Sequence, residues 1–192
     1  MSETAKPVVI VLACGLGRRF RASLHEAGIL EADDNGWGNK LHASLGGRRV
    51  MDWTVQAARD SGLPVVVHEG QSFAGMGDSI AAAVRAQAQA PGWLILPADL
   101  PLIQPSTIAQ VAAGLQAARV VVPMWQGQRA HPVGFDAACG EALMALTGES
   151  GAAAVVRRFG AQALPVSDVG VAQDIDTWAA LLDARRVWAA RH

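Results

Sequence analysis

The sequence predicts an α/β protein with a mostly parallel sheet covered by helices on both faces. Short apolar runs alternate with stretches of helical periodicity over most of the chain. The first run, VVIVL from Val8 to Leu12, is unbroken rather than alternating, as in a strand buried on both faces. It leads into Gly15-Leu16-Gly17, where the backbone can turn tightly and come close to a ligand. Sheets of this class bind ligands beyond the carboxyl ends of their strands, which is where this turn lies. No repeat, low-complexity tract or interdomain linker interrupts the chain, and its 192 residues suit one domain.

A net charge of -1 points away from nucleic acid and anionic membranes, and leaves room for local basic groups to bind a small phosphorylated molecule. Two cysteines, Cys14 and Cys139, are too few for a disulfide framework or a metal cluster and suit a reducing cytoplasm. Lys6 before an apolar run superficially resembles a signal peptide, but glycines and arginines follow where a cleavage site needs small residues. No apolar run approaches bilayer length. The expectation is a soluble cytoplasmic protein.

After the opening strand, residues 21–39 read as a long polar loop, closed by Lys40. Residues 50–61 carry apolar residues at helical spacing, with Gly62 and Pro64 beyond the end. Residues 64–68 read as a short buried strand and 69–77 as a glycine-containing loop. Asp78 or Ser79 is placed to cap an alanine-rich helix through residues 80–89, which Pro91-Gly92 ends. Residues 93–96 form the next apolar strand, which runs into Pro97-Ala98-Asp99-Leu100-Pro101. A helix over 104–118, a strand over 120–124, a polar turn over 126–129 and a strand over 131–135 follow. Residues 136–146 and 152–159 read as helices and 163–166 as a last strand. Asp176 or Thr177 caps a final helix whose Trp178, Leu181, Leu182 and Trp188 make one apolar stripe.

Several residues could carry chemistry. The glycine turn with Arg18 and Arg19 describes either an anion site or a surface turn with solvated arginines. Asp99 has no charged neighbour in residues 92–103, so it needs a cation or several donors to offset desolvation. Magnesium on substrate phosphates is one such cation, since it takes only one or two protein carboxylates; nearby backbone amides are the alternative. Either Asp174 or Asp176 could join Asp99 on the metal; otherwise Asp176 caps the last helix, the role its position favours, and Asp174 is solvated. Lys40 would reach the phosphates as a point charge, or lie on the surface. His131 donates to a ligand or to the fold. Residues 75–79 rest a base and ribose, or simply start a helix. No base histidine stands near Cys14 in sequence, so it is not read as a nucleophile. A Walker loop is excluded by Gly17-Arg18-Arg19, and a dinucleotide fingerprint lacks its third glycine where Phe20 stands.

Leu12-Ala13-Cys14-Gly15-Leu16-Gly17-Arg18-Arg19-Phe20 with a later Lys40 resembles the LAAGxSxRFGxxK opening of the MobA-like nucleotidyltransferases. Further segments match in order. They are Gly75-Met76-Gly77-Asp78-Ser79-Ile80, Leu96-Pro97-Ala98-Asp99-Leu100-Pro101, Arg129-Ala130-His131-Pro132-Val133-Gly134-Phe135, Gly148-Glu149-Ser150-Gly151-Ala152 and Asp174-Ile175-Asp176-Thr177. The resemblance implies a three-layer α/β/α, Rossmann-like nucleotide-diphospho-sugar transferase fold. It implies Mg2+-dependent transfer of a nucleotidyl group from CTP or GTP to a phosphorylated acceptor, a molybdopterin-type cofactor, with release of pyrophosphate. A molybdoenzyme or its chaperone would be a further partner.

By the same resemblance, Leu12 and the backbone of Ala13, Cys14, Gly15 and Gly17 hold the nucleotide, and the side chains of Arg19 and Lys40 neutralise the triphosphate or the attacking phosphate. Gly75 and Ser79 support base and ribose. Asp99, with Asp174, holds the metal, and His131 lies on the acceptor side. A small residue at Cys14 and the HPVGF segment stand nearer the cytidylyl branch. Five departures stand out: the 21–39 insertion, read as a lid or an altered acceptor site; Arg21 where the family has a glycine; a shortened 62–74 segment, read as a trimmed sheet edge; Cys14 itself; and Ala153 near the family's arginine. The rival expectations are transfer to a sugar phosphate or another small phosphate, and a nucleotide- or cofactor-binding homologue without turnover.

Overall fold

The structure, a computed structural model, describes residues 5–15, 17–29, 39–69 and 75–191. Strand β1 (Val8–Leu12) lies between β4 (Val65–His68) and β5 (Gly92–Pro97), parallel to both. Beyond β5 comes β8 (Val133–Asp136), antiparallel to it, and then β6 (Val120–Trp125). The short β7 (Gln128–Arg129) and β8 share one edge of β6, while β9 (Gln162–Pro165) runs parallel along the other. β4, β1, β5, β6 and β9 therefore point one way, and β7 and β8 the other. The predicted mostly parallel α/β sheet is what forms.

Both faces of this sheet are buried, which is why β1 could not alternate. Val9 and Val11 face α2 (Val50–Asp60) and α4 (Pro105–Gly114), packing with Val55, Ala58, Ile108 and Val111. Val8, Ile10 and Leu12 face α3 (Met76–Ala86), α5 (Gly140–Met144) and α6 (Ala153–Phe159), packing with Ile80, Val84, Leu143 and Val155. A third cluster, Phe20, Leu24, Leu45, Val50, Leu102, Ile175 and Leu181, lies outside the sheet. It joins α1 (Arg18–Glu26), the hairpin of β2 (Ser44–Leu45) and β3 (Arg48–Arg49), and α7 (Trp178–Arg191).

Several local expectations change. Residues 21–26 are not loop: they continue α1, whose buried face is only Phe20 and Leu24 at i, i+4. Residues 30–38 of that predicted insertion, and Leu16 of the glycine turn, lie outside the described residues, as do 70–74 of the shortened segment. Neither Asp78 nor Ser79 caps α3, which begins at Met76. Asp78 instead accepts from the Gly148 amide at 2.8 Å, and Ser79 is buried, its Oγ donating to the Gly75 carbonyl at 3.1 Å. The helix starts early because it docks on the 147–149 backbone; a Cβ on Gly75 would stand 2.3 Å from the Gly148 carbonyl. α4 stops at Gly114, and residues 136–146 split into a 3-10 turn, Ala137–Cys139, and α5. Thr177 rather than Asp176 caps α7, its Oγ accepting from the Ala180 amide at 3.1 Å.

Candidate active site

β1 and β5 end level with each other, Leu12 opposite Pro97, so the turns that follow them are neighbours. The Ala98 amide donates to the Leu12 carbonyl at 3.0 Å, and the Ala13 amide to the His68 carbonyl at 3.0 Å. The chain then reverses at Gly17, whose φ of 56° is left-handed and favours glycine. From there α1 starts with Arg18 and Arg19 in its first turn. On the β5 side the Ile175 amide donates to the Asp99 carbonyl at 3.0 Å. Ile175 is buried in the third cluster, and Asp174 and Asp176 flank it beside Asp99.

Lys40 completes the site from a third direction. It stands on a short turn in which Asn39 Oδ1 accepts from the Leu41 amide at 3.0 Å, and Leu41 is buried in the core with Ala98 and Met51. The Lys40 Nζ donates to Asp99 Oδ2 at 2.6 Å and to Asp176 Oδ1 at 2.5 Å. The other oxygen of Asp176 pairs with Arg19 Nη1 at 2.7 Å. The Lys40 and Asp99 side chains are 15% and 12% exposed, whereas Arg19 is 83% exposed, so the series runs from a buried acid out to solvent. Asp99 Oδ1 is buried and has no hydrogen-bond partner among the described residues.

These charges act on one another. Burial works to lower the Lys40 pKa, but the carboxylates of Asp99 and Asp176 outweigh it and hold the ammonium above its ordinary value. Burial works to raise Asp176, and Lys40 with Arg19 overcome that and hold it low. Asp174 goes the other way: burial, then the like charges of Asp176 and Asp99, push its carboxyl up. Desolvation lowers the His131 imidazole below its ordinary value, against the pull of Asp99 and Asp174.

The cleft around these groups is lined by Leu12, Cys14, Gly15, Gly17, Arg18, Arg19, Phe20, Lys40, Leu41, Met76, Pro97, Ala98, Asp99 and Asp176. Of the predicted site residues, Leu12, Cys14, Gly15, Gly17, Arg19, Lys40 and Asp99 come together here. Asp174 and His131 sit next to Asp99 but outside the lining. Three predictions are corrected. The Ala13 amide is engaged by His68, so it is not a donor to a ligand. Ser79 and Gly75 do not face the cleft, because they are used in the first turn of α3 and its docking. Met76, 51% exposed, faces it instead. The sequence offered Asp176 as a metal ligand or a helix cap and favoured the cap; the structure pairs it with Lys40 and Arg19 instead, and a better cap stands one residue on.

Among the described residues no three His, Cys, Asp or Glu side chains form a set ready to hold a metal. A divalent cation that arrives on phosphates needs only one or two carboxylates, however. The unpartnered, buried Asp99 Oδ1 and the neighbouring acids Asp174 and Asp176 fit that need. A buried anion beside two cations, at the mouth of a glycine turn, is suited to a polyphosphate accompanied by its metal.

No curated protein sequence matches the chain. Solved structures share its fold. A nucleotidyl transferase from Methanothermobacter thermautotrophicus superposes with a TM-score of 0.77 at 17% identity, over 97% of this chain and 99% of that one. Rv0371c from Mycobacterium tuberculosis, in complex with manganese, gives 0.71 at 20% identity, over 96% and 100%. Molybdopterin-guanine dinucleotide biosynthesis protein A from Archaeoglobus fulgidus gives 0.66 at 15%, over 95% and 99%. Among the described residues no helix is long and apolar enough to cross a membrane. The family model for the MobA-like NTP transferase domain matches residues 9–165, from β1 to the end of β9, and the chain belongs to that family.

Proposed function

We propose that this nucleotidyltransferase moves a nucleotidyl group from CTP to a molybdopterin-type acceptor in a cytoplasmic step of molybdenum cofactor maturation. A single domain carries the reaction, GTP is the competing donor, and a molybdoenzyme or its chaperone receives the product. The observation that carries the reading is the ion-pair series Arg19–Asp176–Lys40–Asp99. It sets two phosphate-binding cations and a buried, unpartnered carboxylate oxygen around one cleft. The preference for CTP rests on the resemblance of Cys14 and the HPVGF segment to the cytidylyl branch.

In this reading an acceptor phosphate oxygen attacks the α-phosphorus of the triphosphate, and the bond from that phosphorus to the bridging oxygen of pyrophosphate breaks. Little covalent help is needed, so the protein aligns the reactants and balances their charge. The backbone at Gly15 and Gly17 lets the phosphates approach closely. Arg19, exposed and paired with Asp176 through Nη1, offers the rest of its planar fork to phosphate oxygens. Lys40 supplies a point charge from the opposite wall. Leu12, Phe20, Leu41 and Pro97 shape the cleft and exclude water. Asp99 would hold magnesium, with Asp174 or Asp176 as the second carboxylate. That ion would neutralise charge on the α-phosphate and the leaving pyrophosphate. His131, beside Asp99 and Asp174, orients the acceptor.

The test is a panel of the four NTPs with Mg2+, with and without molybdopterin or a set of sugar phosphates, scored for pyrophosphate. Release with CTP that requires both Mg2+ and molybdopterin is expected. Release that depends on a sugar phosphate instead moves the acceptor assignment. Nucleotide binding with no pyrophosphate under any condition overturns the catalytic reading.

A further inference from the structure

We propose that Lys40 is a displaceable internal cation, which fills the acidic pair until a metal-bound triphosphate draws it away. The inference rests on the reading of this cleft as a metal–triphosphate site, and goes beyond it by giving Lys40 two positions. The ammonium now lies between Asp99 Oδ2 and Asp176 Oδ1, at 2.6 and 2.5 Å. That is the space from which a cation would engage both carboxylates. One oxygen of the pair, Asp99 Oδ1, is buried without a partner among the described residues, on a residue that is 8% exposed. An ammonium that donates to Oδ2 and to Asp176 leaves this oxygen unpaired. A divalent ion coordinating Asp99 has reason to take it.

A metal ion and the ammonium cannot share this position. Two positive centres within a few ångströms, screened little by water, repel strongly. Entry of the metal at Asp99 therefore requires Lys40 to leave. Its four-carbon stem and freely rotating donors allow that without moving the turn, which buried Leu41 and the Asn39 side chain pin in place. Triphosphate oxygens in the same cleft give the ammonium a new partner. Arg19 remains on the far oxygen of Asp176 and keeps that carboxylate compensated. Metal alone must evict a well-paired lysine, and nucleotide alone must compete with two carboxylates for it. Each should bind weakly, and the two together tightly, by the reciprocity of linked equilibria. In the free protein Lys40 keeps the acids together and resists idle metal binding.

The test measures Mn2+ binding to the full chain by the loss of the free-ion electron paramagnetic resonance signal, without nucleotide. Lys40→Met is expected to bind Mn2+ at least tenfold more tightly than wild type. Lys40→Arg, which restores a cation, should return toward wild type. Asp99→Asn should abolish the gain. Mn2+ that binds wild type, is lost in Asp99→Asn, and is held no more tightly by Lys40→Met overturns the switch and leaves the metal reading standing. Mn2+ binding indifferent to Asp99→Asn in every background overturns the metal reading, and the switch with it. Should Lys40→Met fail to fold, nitrogen-15 spectra of the wild-type lysine ammonium groups decide. The Lys40 signal should move when Mg2+ and CTP are added together, and a signal that stays in place overturns the proposal.

Discussion

The Ile175 amide donates to the Asp99 carbonyl at 3.0 Å, and this one backbone bond ties the end of β5 to the acidic segment before α7. Segments far apart in sequence thereby present their carboxylates to one lysine. Because the tie is made by backbone atoms, side-chain changes at Asp99 should leave it intact. Asp99→Asn is therefore expected to keep the fold and to abolish Mg2+-dependent pyrophosphate release. A cooperative melt at a lowered temperature, from the loss of one partner of the Lys40 pair, together with lost turnover bears this out; normal turnover in the variant removes Asp99 from the chemistry.

Arg19 is the outermost member of the ion-pair series and the one most exposed to solvent. Its pair with Asp176 contributes little to stability for that reason. Its contacts to a triphosphate would be charge-assisted and better shielded. Arg19→Ala should lower NTP affinity by about tenfold, or ~1.4 kcal/mol, while shifting the melting temperature little. The loss should shrink as salt is raised. Unchanged NTP affinity in a titration excludes Arg19 from the site.

The parts of this site that are local in sequence could be read there, and the parts that depend on folding could not. β1 stood out because burial on both faces leaves an unbroken apolar run, and Asp99 because it is a lone charge among apolar residues. α1 was hidden because only Phe20 and Leu24 mark its buried side in an otherwise polar stretch. Lys40 was suspected of facing phosphates, but its partners are 59 and 136 positions away, and no local pattern encodes them. Asp176 was masked by its own position: a carboxylate just before a helix reads as a cap, and only the fold shows Thr177 taking that role. At α3 the helix starts earlier than the expected cap at Asp78 or Ser79. The cause was a tertiary contact, the docking of Gly75 against Gly148.

The opposed shifts of Lys40 and Asp176 give a defined pH profile. Asp176 is held below its ordinary value of 3.8, so its contribution to stability is complete above that pH and is lost as the pH falls below it. Lys40 is held above 10.5, so its contribution is complete below that pH and is lost as the pH rises through its raised value. Asp174 has the reverse sign of Asp176. Raised in the folded protein, it adds a cost as the pH climbs from 3.8 through its folded value. Unfolding followed against pH should therefore show Asp176→Asn losing part of the acid limb, and Asp174→Asn gaining stability at neutral pH. An acid limb unchanged in Asp176→Asn would mean that solvent already screens the pair.

Gly46 tests whether the C-terminal helix holds Lys40 in place. The β2–β3 turn passes under the Trp188 ring of α7 so closely that a Cβ on Gly46 would stand 2.4 Å from ring carbons, and its φ of 56° disfavours any side chain. Arg185 of the same helix donates to the Ser44 carbonyl at 2.9 Å. Trp53 donates its indole N–H to the Leu45 carbonyl at 2.7 Å, so the hairpin is clamped from both sides. Gly46→Ala must push the ring away or bend the turn, at a cost of about 1–3 kcal/mol. The hairpin begins only four residues after Lys40, with the pinned turn between them. The variant should therefore lower the melting temperature and, at temperatures where it is still folded, weaken NTP binding more than Arg85→Ala. Arg85 donates to the Met144 carbonyl on the opposite side of the sheet. Equal NTP affinities in the two variants would mean that Lys40 is positioned by its own turn and its carboxylates alone.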